Sequence, residues 1–403
     1  MDVTSLHVAC CMIKYIDEVE ITNKKVLVRA DFDVTLNPNY TIADDARITH
    51  NIPTLQYLLK NNNKLICVAK LGRPKMKDPA FSLKVVVEKL KEYFPEYTIT
   101  LIDDFVTTDK SRFENQKNNE IFVLENIRFY PEEKKNDLEF AKKLASLADV
   151  YVNDAFAMSH RVEASIVGIT SYLPSYGGLL LKKEVATIIK AIKEPQKPFI
   201  AIIGGSKIDT KINIIGKLME VSSSILIGGG LANTFLCAQG IDIGKSYCEY
   251  EKVAKARQLI HLAGQRNTTI VLPTDVVIGD KENSKDRGEV VQINNIPTDA
   301  SILDIGPDSQ AKYGSIIATA KTIVWNGPVG FFENPAFRMG TDFIYYAIAH
   351  NTDAISIVGG GDTLSAISKK EYLDKITHIS TGGGAMLELI EKGTLPGLDA
   401  LDK

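Results

Sequence analysis

No apolar run in this sequence approaches the roughly 18 residues needed to cross a bilayer, which argues against a helical membrane span. Cysteine is scarce. Cys10, Cys11, Cys67, Cys237 and Cys248 show no CxxC spacing and leave one unpaired, so reduced thiols in a cytoplasmic protein are the plain expectation. No basic residue precedes Lys14, and the N-terminus therefore does not read as a secretory signal. A charge excess is missing too: 47 Lys and Arg stand against 50 Asp and Glu, leaving −3, too balanced for a general nucleic-acid binder. The six histidines are scattered, and neither a Ser-His-Asp pattern nor a paired-carboxylate pattern is evident.

What is present is a regular alternation. Short apolar runs at 25–30, 64–69, 98–102, 121–125 and 149–153 are separated by helical patterns such as 45–60. The rhythm resumes with runs at 199–203, 224–227, 269–272, 322–325, 354–358 and 377–380. Runs that are apolar throughout predict strands covered on both faces. The expected fold is therefore α/β: two doubly wound, Rossmann-like parallel-sheet domains. A helical stretch from Leu179 to Ile192, stopped by the prolines of KEPQKP (193–198), reads as the connecting helix and hinge. The expected division is 1–185 and 186–389.

In the second half, four strands run into glycine clusters: Gly204-Gly205, Gly228-Gly229-Gly230, Gly359-Gly360-Gly361 and Gly382-Gly383-Gly384. Each stands where a strand ends and a helical pattern follows, the edge at which open α/β sheets bind ligands. Free backbone N–H groups and the helix dipole favour phosphate there, while one such cluster alone is no more than a tight turn. GIDIGKS (240–246) fails as a Walker A loop because its first glycine position holds Gln239. GGGLAN (228–233) lacks the third glycine of the dinucleotide fingerprint. Asp362 follows the third cluster and suits either a magnesium ligand or a helix N-cap. Lys211 is expected in the first turn of a helix capped by Asp209, where a cation opposes the dipole and hints at a nearby anion. Lys207 lies on the connecting loop, and Glu333 could accept ribose hydroxyls or simply be exposed.

Only ten of the 47 basic residues are arginine. Arg73, Arg128 and Arg161 follow successive strand–loop passages, and Arg47 follows Asp44-Asp45 at a helix start. Any one of them could be a surface ion-pair partner. Several on one sheet edge make a basic pocket for a small anion.

VLVRADFDVTL (26–36), LGRPK (71–75), ENIRFYPEE (125–133), YVNDAFAMSHR (151–161), GGSKIDTKI (204–212), VWNGPVGFFE (324–333), GGGDT (359–363) and STGGGAMLEL (380–389) resemble phosphoglycerate kinase, in order and over essentially the whole chain. The resemblance implies reversible phosphoryl transfer between 1,3-bisphosphoglycerate and ADP, giving 3-phosphoglycerate and ATP. It implies Asp31, Phe32, Asp33, Arg47, Lys70, Arg73, Arg128, His160 and Arg161 as phosphoglycerate contacts. It also implies Lys207, Lys211, Asn326, Glu333, Gly360, Gly361, Asp362 and Thr363 as nucleotide contacts, with Asp362 on Mg²⁺. Arg47, Lys207 and Lys211 are the expected catalytic cations. A C-terminal segment, about 390–403, is expected to rejoin the first domain, and the protein is expected to be a cytoplasmic monomer.

Three departures stand out: Asp33 where the family usually has Asn, Lys70 where it has His, and Ile302 at a nucleotide-site glycine. The opposite charges of Asp33 and Lys70 predict that the two side chains pair. The first two departures also leave open a kinase forming another acyl phosphate, and the alternative from a different class is a noncatalytic phosphometabolite-binding regulator.

Overall fold

The computed structural model describes residues 13–208, 211–280, 287–367 and 370–402. The chain divides into two compact units. One runs through Ala186 and takes in the chain again from Lys392; the other is Thr187–Glu391. The helix Leu179–Lys193 carries the chain across the division.

The first unit contains β1 (Lys25–Arg29), a ribbon of β2 (Thr35–Leu36) and β3 (Ile42–Asp44), then β4 (Lys64–Val68), β5 (Thr98–Ile102), β6 (Glu120–Leu124), β7 (Val150–Asn153) and β8 (Ser175–Gly177). Outside the antiparallel ribbon, the strands form one sheet in the order β5-β6-β4-β1-β7-β8, parallel throughout. β4 was added to one side of β1 and β7 to the other, so the winding reverses at β1.

The second unit contains β9 (Phe199–Ile203), β10 (Ser224–Ile227), β11 (Thr269–Val271), β12 (Asp275–Gly279), β13 (Glu289–Gln292), β14 (Ser301–Ile305), β15 (Thr322–Asn326), β16 (Ile355–Gly359) and β17 (His378–Ser380). Six of these make a parallel sheet, β11-β10-β9-β15-β16-β17, whose winding reverses between β9 and β15. Every residue of β6, β9 and β15 is buried, as expected for apolar strands with helices on both faces. The sole tryptophan, Trp325, is fully buried, and its indole N–H donates to Gly327 O at 2.9 Å, fixing the end of β15 where its loop departs.

One layer was not expected from the sequence. β13, β12 and β14 form a separate antiparallel sheet. β13 is mostly exposed and carries no apolar run, so the signal that marked the other strands is absent from it. Among the described residues, no helix is long and apolar enough to cross a membrane.

Candidate active site

In the first unit, the loops leaving the C-terminal ends of β1, β4, β6 and β7 carry Asp31 to Asp33, Lys70 to Arg73, Arg128 and His160-Arg161. These four strands are neighbours, so the sheet itself gathers the loops on one edge around the reversal at β1. Arg47 joins them from the first turn of the helix Ala46–Lys60, whose start is fixed by Asp44 Oδ1 accepting the Ala46 N–H at 2.9 Å.

The charges here are paired. Arg47 donates to Asp31 Oδ2 at 2.6 Å. Burial pulls the Arg47 guanidinium down, but Asp31 and Asp33 more than offset this and hold it above its ordinary value. Lys70 pairs with Asp33 Oδ2, and the other Asp33 oxygen accepts the Gly72 N–H at 2.7 Å. The two departures from the family pattern thus meet, with the lysine buried instead of turned to solvent. Burial holds Lys70 below its ordinary value against the upward pull of Asp33. Arg128 sits in a short turn capped by Asn126, whose amide also donates to Leu71 O at 2.7 Å and so ties the β6 loop to the β4 loop.

Glu163 receives the Arg128 guanidinium at 2.8 Å, and both side chains are largely buried. The sequence reading missed this partner; its only local signal is an acid two residues after Arg161. Three buried atoms in the cluster lack a hydrogen-bond partner: Asp31 Oδ1, an acceptor, Arg128 Nε, a donor, and Glu163 Oε2, a second acceptor. Such orphans are rare and call for an explanation. A hydroxyl on the first and a phosphate or carboxylate oxygen on the second would satisfy those two.

Phe32 is turned inward. Its side chain is fully buried in the hydrophobic core, so it can meet a ligand only through its backbone. Arg73 and Arg161 are exposed, and His160 is half-buried. The loop bearing His160 is braced by the returning C-terminal segment, where Gly397 N–H donates to Ser159 O at 2.8 Å.

In the second unit, the loops after β9 and β15 meet at the reversal. Gly204 N–H donates to Asn326 O at 3.0 Å and Gly205 N–H to Pro328 O at 2.7 Å. The Lys211 ammonium reaches between them, donating to Gly204 O and, at 3.3 Å, to Asn326 O. Burial depresses it to about 8, although Asp362 pulls it upward. Lys211 is the N-cap residue of the helix Ile212–Leu218, not part of its first turn, so a loop separates the first glycine pair from its helix. The expected cap, Asp209, lies outside the described residues.

Asn326 Nδ2 donates to Gly359 O at 2.7 Å, and Gly327 N–H to Thr363 Oγ1 at 2.7 Å, which knits the β15 loop to the β16 loop. Two glycines are required by geometry. Gly327 has φ +94, and a Cβ there would fall 2.5 Å from Lys211 Nζ. Gly360 has φ +119 and serves as N-cap of the helix Gly361–Ala366. Asp362 therefore stands in the first helical turn, exposed, and the N-cap alternative for it is ruled out. Lys207 and Glu333 are also exposed on their loops.

A cavity of about 660 Å³ opens on this edge, lined by Gly205, Gly229, Tyr247, Ile302, Glu333 and Asp362, among others. The unanticipated antiparallel sheet supplies one wall through Val276 and through Ile302 to Ile305. Asp304 in that wall is buried, accepts the Gly340 N–H at 2.7 Å, and is pushed by burial up to about 7.

Comparison with known proteins shows the family. The phosphoglycerate kinase family profile matches residues 16–393. The phosphoglycerate kinase of Desulfosudis oleivorans is 42% identical over 393 residues, covering 97% of this chain and 99% of its own. The cytosolic phosphoglycerate kinase of Triticum aestivum is 44% identical over 389 residues, covering 96% and 97%. Among solved structures, phosphoglycerate kinase from Coxiella burnetii is similar with a TM-score of 0.84 at 37% identity, covering 96% of this chain and 98% of that one. With ordered motifs, a ligand edge on each sheet and likeness over nearly its full length, the chain belongs to the phosphoglycerate kinase family.

Proposed function

We propose that the first unit holds 3-phosphoglycerate or 1,3-bisphosphoglycerate and the second holds ATP or ADP, in the glycolytic phosphoryl transfer that defines the family. The observation that carries this assignment is the contrast between the two edges. One gathers fixed charges with an orphan acceptor and an orphan donor, as a small polyanion with a hydroxyl requires. The other gathers glycine loops and lysine ammoniums beside a cavity of nucleotide size.

In the ATP-consuming direction the nucleophile is the substrate carboxylate, ionised at neutral pH because such groups titrate near pH 4, roughly. No general base is needed. The chain must instead position the reactants and offset charge on the transferring phosphoryl group. Arg128 and Lys70 orient the acid and Arg47 faces its charge, while Lys211 and Lys207 serve the phosphates and Glu333 the ribose. Gly360, Gly361 and Thr363 shape the loop along the phosphates, with Asn326 behind it. Arg73, His160 and Arg161, on exposed or half-buried loop positions, complete the acid contacts.

The Asp362 carboxylate fits Mg²⁺: it is exposed, lines the cavity and lies close enough to raise Lys211. Bound there, Mg²⁺ would neutralise charge shared by the β- and γ-phosphates. We also infer a cytoplasmic monomer, a reading that the cytosolic plant relatives support for the compartment and that sizing chromatography would test for the oligomer.

A coupled assay with ATP and 3-phosphoglycerate, run against a panel of other small hydroxy acids, tests the assignment. Turnover should favour 3-phosphoglycerate by orders of magnitude. Preference for another acid would move the chain to a different acyl phosphate.

A further inference from the structure

The helix Gly229–Ala238 and the segment 244–249 lie against each other beside the cavity of the second unit. Asn233 Nδ2 donates to Tyr247 O at 3.1 Å, and the Glu249 N–H donates to Thr234 Oγ1 at 3.2 Å. Cys248 is thus held between two residues anchored on consecutive positions of the helix. Cys237 is three and four residues further along, on the same helical face. The Cys237 thiol lies near enough to push that of Cys248 upward. Both are free and only half-buried, unlike Cys67, which is fully buried in the first unit.

The segment is also tied to the nucleotide site at both ends. Lys245 N–H donates to Ala300 O at 2.8 Å, and Ser246 Oγ accepts the Ile302 N–H at 2.9 Å. At the other end the Glu249 carboxylate accepts the Ile208 N–H, on the loop that also bears Lys207. Between these ties, Tyr247 lines the cavity.

We propose that Cys237 and Cys248 are a reversible disulfide site for small-molecule disulfides, and that closing it weakens nucleotide binding. In the first step the Cys237 thiolate attacks one sulfur of the reagent disulfide, forms a mixed disulfide and releases one reagent thiol. In the second, the Cys248 sulfur attacks the Cys237 sulfur, its proton passing to the departing reagent sulfur. Two protein thiols are oxidised and one disulfide is reduced to two thiols, so atoms and electrons balance. Burial, together with the neighbouring thiol, pushes Cys248 up to about 11, which assigns it the resolving role and leaves the attack to Cys237.

Bonding draws the sulfurs to roughly 2.05 Å of one another. The helix is packed on the sheet through buried Phe235 and Leu236, so the surface segment must move, and Tyr247 and the Ile208 tie move with it. This consequence rests on the nucleotide reading of the cavity; the disulfide itself does not.

The test uses the full chain in a Cys10→Ser/Cys11→Ser background, treated with oxidised glutathione. Non-reducing peptide mapping is combined with KM for ATP and for 3-phosphoglycerate, before and after dithiothreitol. The expected result is a 237–248 crosslink and a KM for ATP raised roughly tenfold, a modest effect for an ångström-scale shift of a binding wall. KM for 3-phosphoglycerate should not change, dithiothreitol should reverse the effect, and Cys237→Ser or Cys248→Ser should abolish it. Recovery of only unlinked or glutathione-bearing peptides would overturn the site. A crosslink with unchanged KM for ATP would overturn its coupling to the nucleotide. If the cavity is not a nucleotide site, the untreated enzyme will lack ATP-dependent turnover while the crosslink is still read by mapping.

Discussion

In the first unit the candidate residues are held by ion pairs, Arg47 on Asp31, Lys70 on Asp33 and Arg128 on Glu163. In the second, Lys211 rests on the backbone oxygens of Gly204 and Asn326, and glycines at positive φ shape what surrounds it. On the proposed assignment the difference follows from the ligands. A small acid offers little surface, so it must be gripped by charges whose positions are fixed beforehand. A nucleotide is long and partly apolar, so a cavity and close backbone approach can hold it, leaving Lys211 and Lys207 for the phosphates. Ion pairs also keep a cluster of cations from unfolding the edge before substrate arrives, because removing one partner of a buried pair costs about 3–5 kcal/mol.

The contrast can be broken most severely at Lys211. Lys211→Ala should lower kcat by roughly a hundred- to a thousandfold, the cost of losing one transition-state donor, while nucleotide affinity stays within a few fold. Steady-state kinetics beside a direct nucleotide titration would check this, and retention of more than about a tenth of the activity would reduce Lys211 to a structural residue.

The next largest effect concerns the pair that departs from the family pattern. At about 5 Å and an effective dielectric of about 20, an unpaired Asp33 opposite an anionic substrate costs roughly 3 kcal/mol, about a hundredfold in affinity. Lys70→His alone should therefore lower kcat/KM for the acid by about that factor. Adding Asp33→Asn should restore most of it. A double-mutant cycle measures the coupling, and additive single effects would mean that the observed pairing does no work for the substrate.

A smaller effect is expected with pH. Burial lowers Lys211, so in the free enzyme it loses its proton as pH rises through about 8 instead of near its ordinary value. The charged form is the useful one, and kcat/KM for ATP should fall above that pH. A bound phosphate favours the ammonium, so kcat itself should stay level to higher pH. Lys211→Arg cannot deprotonate in this range and should flatten the kcat/KM profile whatever its absolute rate. A profile unchanged by that substitution would assign the fall to another group.

Much of this was legible in the sequence for a physical reason. Buried parallel strands are apolar throughout, and glycines mark where a backbone must pass close to something, so β9, β10, β16 and β17 and their edge could be read directly. The Asp33–Lys70 pair was legible as a balance of charge. What could not be read depended on contacts distant in sequence or on half-exposed strands. Glu163 as the partner of Arg128 is one case, and the antiparallel sheet that walls the cavity is another. Phe32 was named through the family motif alone; alternation along the chain turns its side chain into the core, which leaves its backbone for a ligand. Lys211 was expected inside the first turn of its helix but is its N-cap, and the N-cap alternative for Asp362 fell to Gly360, which leaves no side-chain signature.

Calorimetric titration of 3-phosphoglycerate and of ATP, each alone, into wild type, Arg128→Gln and Gly327→Ala tests the division of labour most directly. Glutamine can still bond Glu163 but carries no charge, and alanine at Gly327 places a Cβ 2.5 Å from Lys211 Nζ. Arg128→Gln should weaken 3-phosphoglycerate by about tenfold or more, since bonds to a charged group contribute roughly 1.5–3 kcal/mol, and leave ATP within about twofold. Gly327→Ala should do the reverse, weakening ATP and sparing the acid. If either substitution weakened both ligands alike, the two units could not be reading their ligands by separate devices.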